Sequence, residues 1–217
     1  MALTAQDRAR KIKIVLFDVD GVWTDGTIWL VPGRPSDSAL DQIQNQKSPG
    51  SGVQSTTMVE AKGYSAHDGT GISLARLGGL KCGIVTRRIS ETVATRARDL
   101  KLEFVYQGSA FKMQAIREIM QKEGVTLDEI CYVGDDVFDL PPMRQVGFAV
   151  AVANARERVK AEAHYVTPNS GGRGAARDAI EFILEAQGAL DQCIEAYIGG
   201  RNSIPLSGNI GCSGDLK

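Results

Sequence analysis

The chain has 217 residues, of which 43% are hydrophobic and 24% are charged, and its formal net charge is −1. These values are ordinary for a globular protein and favour neither a nucleic-acid-binding nor a membrane-binding protein. The four cysteines are widely spaced, and the first apolar run meets Asp18 too early for a signal peptide. We therefore expect reduced thiols and a cytoplasmic location.

Short apolar runs alternate with helical patterns along most of the chain. The expected strands are 13–17, 81–86, 103–107, 129–134 and 147–152. The expected helices are about 69–79, 90–101, 109–124, 136–145, 155–162 and 174–187. This alternation predicts an α/β fold with a doubly wound parallel sheet, in which ligands bind beyond the carboxyl ends of the strands.

Two segments depart from this alternation. Residues 27–31 and 56–61 are predicted to form a β-hairpin flap, and the Pro-, Gly- and Ser-rich segment 32–55 between them is predicted to be a mobile loop. We expect one domain over residues 1–188. A C-terminal helix and a poorly ordered tail should follow at 189–217.

Paired acids follow the first predicted strand, in the stretch VLFDVDG. Side chains two apart on an extended segment point the same way, so Asp18 and Asp20 can address one site. An Asp-Gly pair is also common in turns, so this motif alone does not decide between a turn and a catalytic site.

Three more acids lie in GDDVFD, residues 134–139, directly after another predicted strand. Helix capping would account for one of them. Several carboxylates that converge without His or Cys form the kind of site that Mg²⁺ prefers, and a cation would offset the repulsion at Asp18. The sequence therefore predicts a magnesium site.

Thr86 and Lys112 also fall beside strand ends. Thr86 ends the strand GIVT, where a threonine either favours β structure or binds a phosphate oxygen. Lys112 is predicted in the first turn of a helix that has Ser109 as its N-cap and Phe111 on its buried side. The helix dipole disfavours a cation there, so Lys112 is either solvated or placed over a bound anion.

In chain order, these residues resemble the four motifs of the haloacid dehalogenase superfamily of phosphohydrolases. The motif residues are DVDG at 18–21, Thr86, Lys112 and GDDVFD at 134–139, and the resemblance covers about residues 10–188. The stretches HDGTGI, VYQGSAFK, AVAVANA and YVTPNSGGRGAARD are similar to a subgroup acting on phosphorylated sugar acids. The resemblance implies 3-deoxy-D-manno-octulosonate 8-phosphate as the substrate of this protein. A 9-phosphorylated nonulosonate is the alternative substrate.

The resemblance implies a two-step phosphoryl transfer. Asp18 would attack phosphorus to form an aspartyl phosphate, and Asp20 would act as general acid and then as general base. Mg²⁺ would be held by Asp18, by the backbone carbonyl of Asp20 and by Asp135. Lys112 would neutralise charge on the phosphate and on the nucleophile.

Further roles are implied for residues around this centre. Thr86 and Gly21 would bind phosphate, while Asp136 and Asp139 would orient Lys112 and the waters of the metal. The resemblance expects Thr-Gly-Arg after the second strand, and this chain has Thr86-Arg87-Arg88. Arg88 is therefore expected to bind the substrate carboxylate, and Arg87 is either a further substrate contact or a surface charge.

Asp18 and Thr86 are too close in sequence for a separate cap domain between them. Members of the subgroup close the site by forming ring-like homotetramers, so we expect a homotetramer here. His67 and Asp68 are expected near the site. Arg173 either reaches a substrate or a neighbouring subunit or belongs to an ordinary glycine-flanked helix start. A phospho-receiver signalling domain and a non-catalytic scaffold stay open as alternatives, as does a related sugar-acid substrate.

Overall fold

The protein, seen in a computed structural model, is described over residues 3–32 and 58–200. Six strands form the main sheet: β1 (Ile14–Phe17), β4 (Lys81–Val85), β5 (Phe104–Tyr106), β6 (Ile130–Gly134), β7 (Phe148–Ala151) and β8 (Tyr165–Val166). A separate antiparallel hairpin is formed by β2 (Trp29–Pro32) and β3 (Met58–Ala61).

The main sheet has the order β5-β4-β1-β6-β7-β8, and every neighbouring pair is parallel. The chain moves outward from β1 to β4 and β5 and then returns to β6 on the other side of β1. This reversal confirms the doubly wound sheet and puts its switch point at the carboxyl end of β1. All four residues of β1 are buried, as expected for a central strand covered on both faces.

Helices flank the sheet: α1 (Ala5–Ala9), α2 (Ala66–Leu77), α3 (Glu91–Asp99), α4 (Lys112–Glu123), α5 (Leu140–Met143), α6 (Glu157–Lys160), α7 (Ala175–Ala186) and α8 (Leu190–Ile198). The α2–α7 contact is very close, because a Cβ on Gly71 would lie 2.9 Å from the Cα of Arg177. Over residues 3–32 and 58–200, no helix combines the length and the apolar character that a bilayer span requires.

The start of α4 differs from the prediction. The helix begins at Lys112 with Phe111 as its N-cap residue, and Ser109 is not a cap. Gly108 has a φ of +70°, and the amide of Ser109 donates a hydrogen bond to the Thr86 carbonyl, so this stretch stays in the loop that leaves β5. Phe111 was predicted to be buried, and it is 78% exposed because it precedes the helix and does not lie on its buried face.

Other helices and strands also differ from the prediction. The helix predicted at 136–145 is a 3₁₀ turn, Val137–Asp139, followed by the short α5 with two prolines in its first turn. Helix α1 was not predicted, although Thr4 and Asp7 form a capping box at its start. Strand β8 was also missed, since two residues at a sheet edge carry little pattern.

The predicted hairpin forms, and its strands lie outside the main sheet. Trp29 pairs with Ala61, and Pro32 pairs with Met58. Most of the predicted loop 32–55 and of the tail 199–217 lies outside the described residues. In the described part between β1 and β4, the chain contains the hairpin and α2 and no separate cap domain.

Candidate active site

The carboxyl ends of β1, β4 and β6 bring the predicted site residues to one edge of the sheet. Phe17, the last residue of β1, pairs in register with Ile84 of β4 and with Val133 of β6. The residues after these three strands therefore emerge side by side. Asp18 and Asp135 come together in this way, Thr86 emerges beside them at the end of β4, and Lys112 reaches Asp18 from the start of α4.

Asp139 is the centre of a buried polar network at this edge. Its Oδ1 accepts hydrogen bonds from the Lys112 ammonium at 2.6 Å and from the Tyr132 hydroxyl at 2.8 Å. Its Oδ2 accepts from the backbone amides of Asp135 at 2.8 Å and Asp136 at 3.2 Å. The side chain has no exposed surface, so these donors replace the water that the carboxylate gave up.

Lys112 joins this network to Asp18, whose Oδ1 lies 3.0 Å from the ammonium nitrogen. Burial works against the charged form of Lys112, but the negative charges of Asp139 and Asp18 outweigh it and raise its pKa above the usual value. Lys112 is thus a permanent cation beside Asp18, and its side chain is only 3% exposed.

Asp18 and Asp135 lack enough positive charge around them. Burial, followed by the charge of Asp139, raises the pKa of Asp18 to about 6 despite Lys112. Burial and the charges of Asp139 and Asp18 raise the pKa of Asp135 to about 8. Oδ1 of Asp135 is buried and has no hydrogen-bond partner in the described structure. A cation between the two carboxylates would stabilise their ionised forms and would give the unpartnered Asp135 oxygen a partner.

Oxygen atoms of Asp18, Asp135 and Asp139 all lie within 4.8 Å of one another, a spacing that could hold a metal ion. Both oxygens of Asp139 already accept two hydrogen bonds each, so Asp139 fits better as the residue that orients its neighbours. Asp18 and Asp135 are the carboxylates left to coordinate a hard divalent cation.

Gly21 allows the carboxylate of Asp135 to lie directly against the backbone. Its φ is +91°, and a Cβ on it would lie 2.1 Å from Oδ2 of Asp135, so only glycine allows this approach. On its other side, a Cβ on Gly171 would lie 1.7 Å from the Gly21 carbonyl oxygen. The amide group of Asn154 donates to that carbonyl at 3.1 Å and accepts from the Gly171 amide at 2.6 Å. Asn154, which the sequence did not single out, braces this backbone contact.

The carboxylate of Asp20 lies outside the metal-competent cluster. Its Oδ1 forms an ion pair with Lys62, whose side chain is fully buried, and its Oδ2 lies 3.5 Å from Nε of Arg88. Glu60 binds the same two cations and also accepts a hydrogen bond of 2.5 Å from the Ser90 hydroxyl. Asp20 is thus held by the flap hairpin and by the loop after β4.

Lys62 and Glu60 were not predicted as site residues. They lie two positions apart at the end of β3, so their side chains leave the hairpin on the same side. The sequence carries only a weak signal for them, two charged residues in alternation at the end of a predicted strand that is far from the DVDG motif. Burial tends to raise the pKa of Glu60, but the Ser90 and Arg88 hydrogen bonds and the charge of Lys62 lower it overall.

The remaining predicted residues lie around this centre in different ways. Arg87 is exposed, and its guanidinium carbon lies 4.6 Å from the centroid of the Phe138 ring. Asp136 caps the 3₁₀ turn through a 2.7 Å hydrogen bond from the Val137 amide. Asp68 accepts a 3.0 Å hydrogen bond from the Arg177 amide at the start of α7. These contacts make Asp136 and Asp68 caps of local structure.

Comparison with known proteins agrees with this geometry. A family profile described as haloacid dehalogenase-like hydrolase matches residues 84–177. The chain is 33% identical over 185 residues to the 3-deoxy-D-manno-octulosonate 8-phosphate phosphatase KdsC of Escherichia coli, covering 85% of this chain and 86% of that protein. It is 34% identical to the KdsC of Yersinia pestis over the same shares of both chains.

Solved structures of such phosphatases share the fold. The Yersinia pestis 3-deoxy-D-manno-octulosonate 8-phosphate phosphatase matches with a TM-score of 0.72 and 33% identity, over 86% of this chain and 88% of that one. The Moraxella catarrhalis enzyme, solved with magnesium, phosphate and the sugar acid KDO, matches with a TM-score of 0.74 and 30% identity, over 89% and 97% of the two chains. The chain therefore belongs to the haloacid dehalogenase-like hydrolases, in the group of phosphatases that these relatives represent.

Proposed function

We propose that this protein is a magnesium-dependent phosphomonoesterase that hydrolyses 3-deoxy-D-manno-octulosonate 8-phosphate through an aspartyl phosphate on Asp18. One observation carries the proposal: Asp18 lies between the buried Lys112 ammonium and the carboxylate of Asp135, which has an unpartnered buried oxygen. A nucleophile with a cation on one side and a metal-competent acid on the other suits phosphoryl transfer.

The metal ligands in this proposal are the carboxylates of Asp18 and Asp135 and the backbone carbonyl of Asp20. The residues fit Mg²⁺, since they offer oxygen ligands only and since burial and the neighbouring carboxylate of Asp139 raise the pKa of both Asp18 and Asp135, a cost that a cation would offset. When bound, Mg²⁺ would neutralise negative charge on the phosphoryl group and on the nucleophile.

The side chains divide the chemistry between them. A carboxylate oxygen of Asp18 attacks phosphorus as the bond from phosphorus to the sugar oxygen breaks, and Asp20 protonates that leaving oxygen. Asp20 then takes a proton from the water that hydrolyses the aspartyl phosphate. Lys112 holds the attacking carboxylate in place and offsets charge on the phosphate. Asp139 keeps Lys112 charged and correctly aimed.

Phosphate binding is assigned to the residues that line the same edge. Thr86 directly follows β4, is 3% exposed, and can offer its hydroxyl to a phosphate oxygen. The Gly21 amide is assigned to the same phosphoryl group, because the backbone of Gly21 lies beside Asp135 with no side chain between them. Asp136 supports this edge by capping the turn that carries Asp139.

The homotetramer and the cytoplasmic location stay predictions. The exposed apolar residues of the hairpin support an assembly, since Trp29 and Leu30 are each about 60% exposed. Membership of the hydrolase family argues against a receiver domain or an inert scaffold. A 9-phosphorylated nonulosonate is the alternative substrate, because Arg87 stands where the expected motif has glycine, at a position that would bear on selectivity.

A substrate panel tests the proposal. Inorganic phosphate released from 3-deoxy-D-manno-octulosonate 8-phosphate, a nonulosonate 9-phosphate and a neutral sugar phosphate would be measured with Mg²⁺ and with EDTA. We expect the octulosonate to give the highest kcat/KM, EDTA to abolish turnover, and Asp18→Asn to lower kcat by about 10³-fold or more with the fold retained. Full activity in EDTA or in Asp18→Asn would contradict the mechanism, and preference for another substrate would contradict the assignment.

A further inference from the structure

Arg87 and Phe138 meet across the end of the central strand. Arg87 follows β4, Phe138 lies in the 3₁₀ turn after β6, and these two strands pair with opposite sides of β1. The contact between the guanidinium carbon and the ring centroid, at 4.6 Å, therefore spans the end of β1. Asp18, the proposed nucleophile, is the first residue beyond that end. The pair thus forms part of the rim of the site.

Phe138 acts as a fixed platform for this arginine. Phe138 is 54% exposed, although the residue beside it, Asp139, is completely buried and hydrogen-bonded. The turn below the ring is closed by a 2.9 Å hydrogen bond from the Asp139 amide to the Asp136 carbonyl. A guanidinium stacked on an aromatic face keeps its N–H donors in its own plane, free to bind an anion bidentately.

The other arginine of the motif is already engaged. Nη2 of Arg88 donates to Glu60 at 2.7 Å, and its Nε lies 3.5 Å from Asp20. Among the residues that the structure describes, Arg87 has no carboxylate within ion-pair distance, and the Phe138 ring is its recorded partner. Of the two arginines of the motif, Arg87 is therefore the one without an ion pair among the described residues, whereas the sequence pattern favoured Arg88.

We infer that Arg87, held on the face of Phe138, binds the carboxylate of the sugar-acid substrate and makes the enzyme selective for acidic over neutral phosphate esters. The inference rests on the proposed function and adds the residue that determines its specificity. The phosphoryl group is left to Lys112 and Thr86, so Arg87 recognises the leaving group. Because the ring pre-orders the guanidinium, less side-chain entropy is lost when the carboxylate binds.

Steady-state kinetics on two substrates test this inference. The parent, Arg87→Ala, Arg87→Lys and Phe138→Leu would be assayed with Mg²⁺ on 3-deoxy-D-manno-octulosonate 8-phosphate and on p-nitrophenyl phosphate, which has no carboxylate. For Arg87→Ala, we expect KM for the sugar acid to rise about 10- to 100-fold, and the ratio of kcat/KM values for the two substrates to fall at least about tenfold. Arg87→Lys should be intermediate, because it keeps the charge and loses the planar fork.

Phe138→Leu keeps the apolar bulk and removes the aromatic face, so it should shift the ratio in the same direction by about threefold. Its effect should nearly vanish when Arg87 is already alanine, since the ring acts through the arginine. Arg158→Ala is the matched control, because it removes an arginine that is 71% exposed and pairs with Glu162. It should leave the ratio unchanged.

Equal losses on both substrates in Arg87→Ala would overturn the inference and make Arg87 a general phosphate or structural residue. No change on either substrate would also overturn it and make Arg87 a surface charge. A parent that hydrolyses p-nitrophenyl phosphate and no sugar-acid phosphate would contradict the proposed substrate, and a parent inactive on both would contradict the proposed function itself.

Discussion

The two aspartates of the DVDG motif lie in opposite surroundings. Asp18 faces a network made by residues at the ends of core elements, with Lys112 and Asp139 almost completely buried. Asp20 faces Lys62 and Arg88, which come from the end of a two-stranded hairpin and from an exposed loop. The first side is built by the sheet itself, and the second depends on how the flap lies against it.

This difference suggests a division of labour. The proposed nucleophile needs a fixed geometry, which a buried and fully hydrogen-bonded network provides. The partners of the proposed acid–base residue come from the end of the hairpin and from an exposed loop, which can vary with less effect on the sheet. Changes on the Asp18 side should therefore affect folding and chemistry together. Changes on the Asp20 side should affect activity more than stability.

The largest expected effect comes from Asp139→Ala. It leaves Lys112 buried with one partner and removes the acceptor of two backbone amides, so we expect a loss of about 3–5 kcal/mol in the free energy of unfolding. Urea denaturation measures this, and activity should also fall because Lys112 loses its orientation. Tyr132→Phe removes one donor to the same carboxylate and should cost only about 1 kcal/mol. Equal costs for both variants would contradict the central role of Asp139.

The second-largest expected effect is the pH dependence of the stability of the metal-free protein. The pKa of Asp135 is raised from 3.8 to about 8, so the folded state keeps a proton that the unfolded state has lost between these pH values. The metal-free protein should therefore lose stability as the pH rises from about 4 to about 8. Mg²⁺ favours the ionised carboxylates, so its stabilising effect should grow over the same interval.

Thermal unfolding at several pH values, with EDTA and with Mg²⁺, measures this difference. Asp135→Asn should reduce the pH dependence in EDTA, since it removes the group with the higher raised pKa and leaves the smaller contribution of Asp18. A Tm in EDTA that increases steadily from pH 5 to pH 8 would contradict the assignment, and so would an equal Mg²⁺ effect at both ends of that range.

The smallest expected effect on stability comes from Glu60→Gln on the Asp20 side. The change keeps the shape and weakens the pairs with Lys62 and Arg88. Lys62 is buried but keeps its ion pair with Asp20, and Arg88 is 49% exposed, so the free energy of unfolding should change by less than about 1 kcal/mol. The value of kcat/KM should fall several-fold, because the flap loses its anchor to the loop after β4. Glu123→Gln, which weakens a surface pair with Lys81, is the control. If Glu60→Gln unfolds as easily as Asp139→Ala, the contrast between the two sides is wrong.

The sheet and the meeting of Asp18, Thr86 and Asp135 could be predicted because they follow from local patterns. Continuous apolar runs indicate parallel strands, and the carboxyl ends of such strands share an edge. The start of α4 was predicted wrongly, since Ser109 looks like a cap but its amide is held by the Thr86 carbonyl, a contact with no local signal.

The contacts that the sequence did not reveal join distant segments through side chains. Lys62 reaches Asp20 across 42 residues, and Asn154 reaches Gly21 across 133. Phe138 resembles an ordinary apolar residue in a short turn until the structure places Arg87 above it. Such pairings depend on how the folded elements lie against one another, which one sequence without its fold does not specify.

The contact between Gly21 and its neighbours has a consequence for how this protein can change over time. Backbone from two places in the chain and the carboxylate of Asp135 meet there with no room for even a methyl group, as shown by the positions a Cβ would occupy on Gly21 and Gly171. Every single-residue replacement at Gly21 should therefore disturb folding before it can tune the reaction. Substitutions that change catalysis without loss of folding should therefore arise at the rim, at residues such as Arg87 and Phe138, where single side chains can be replaced.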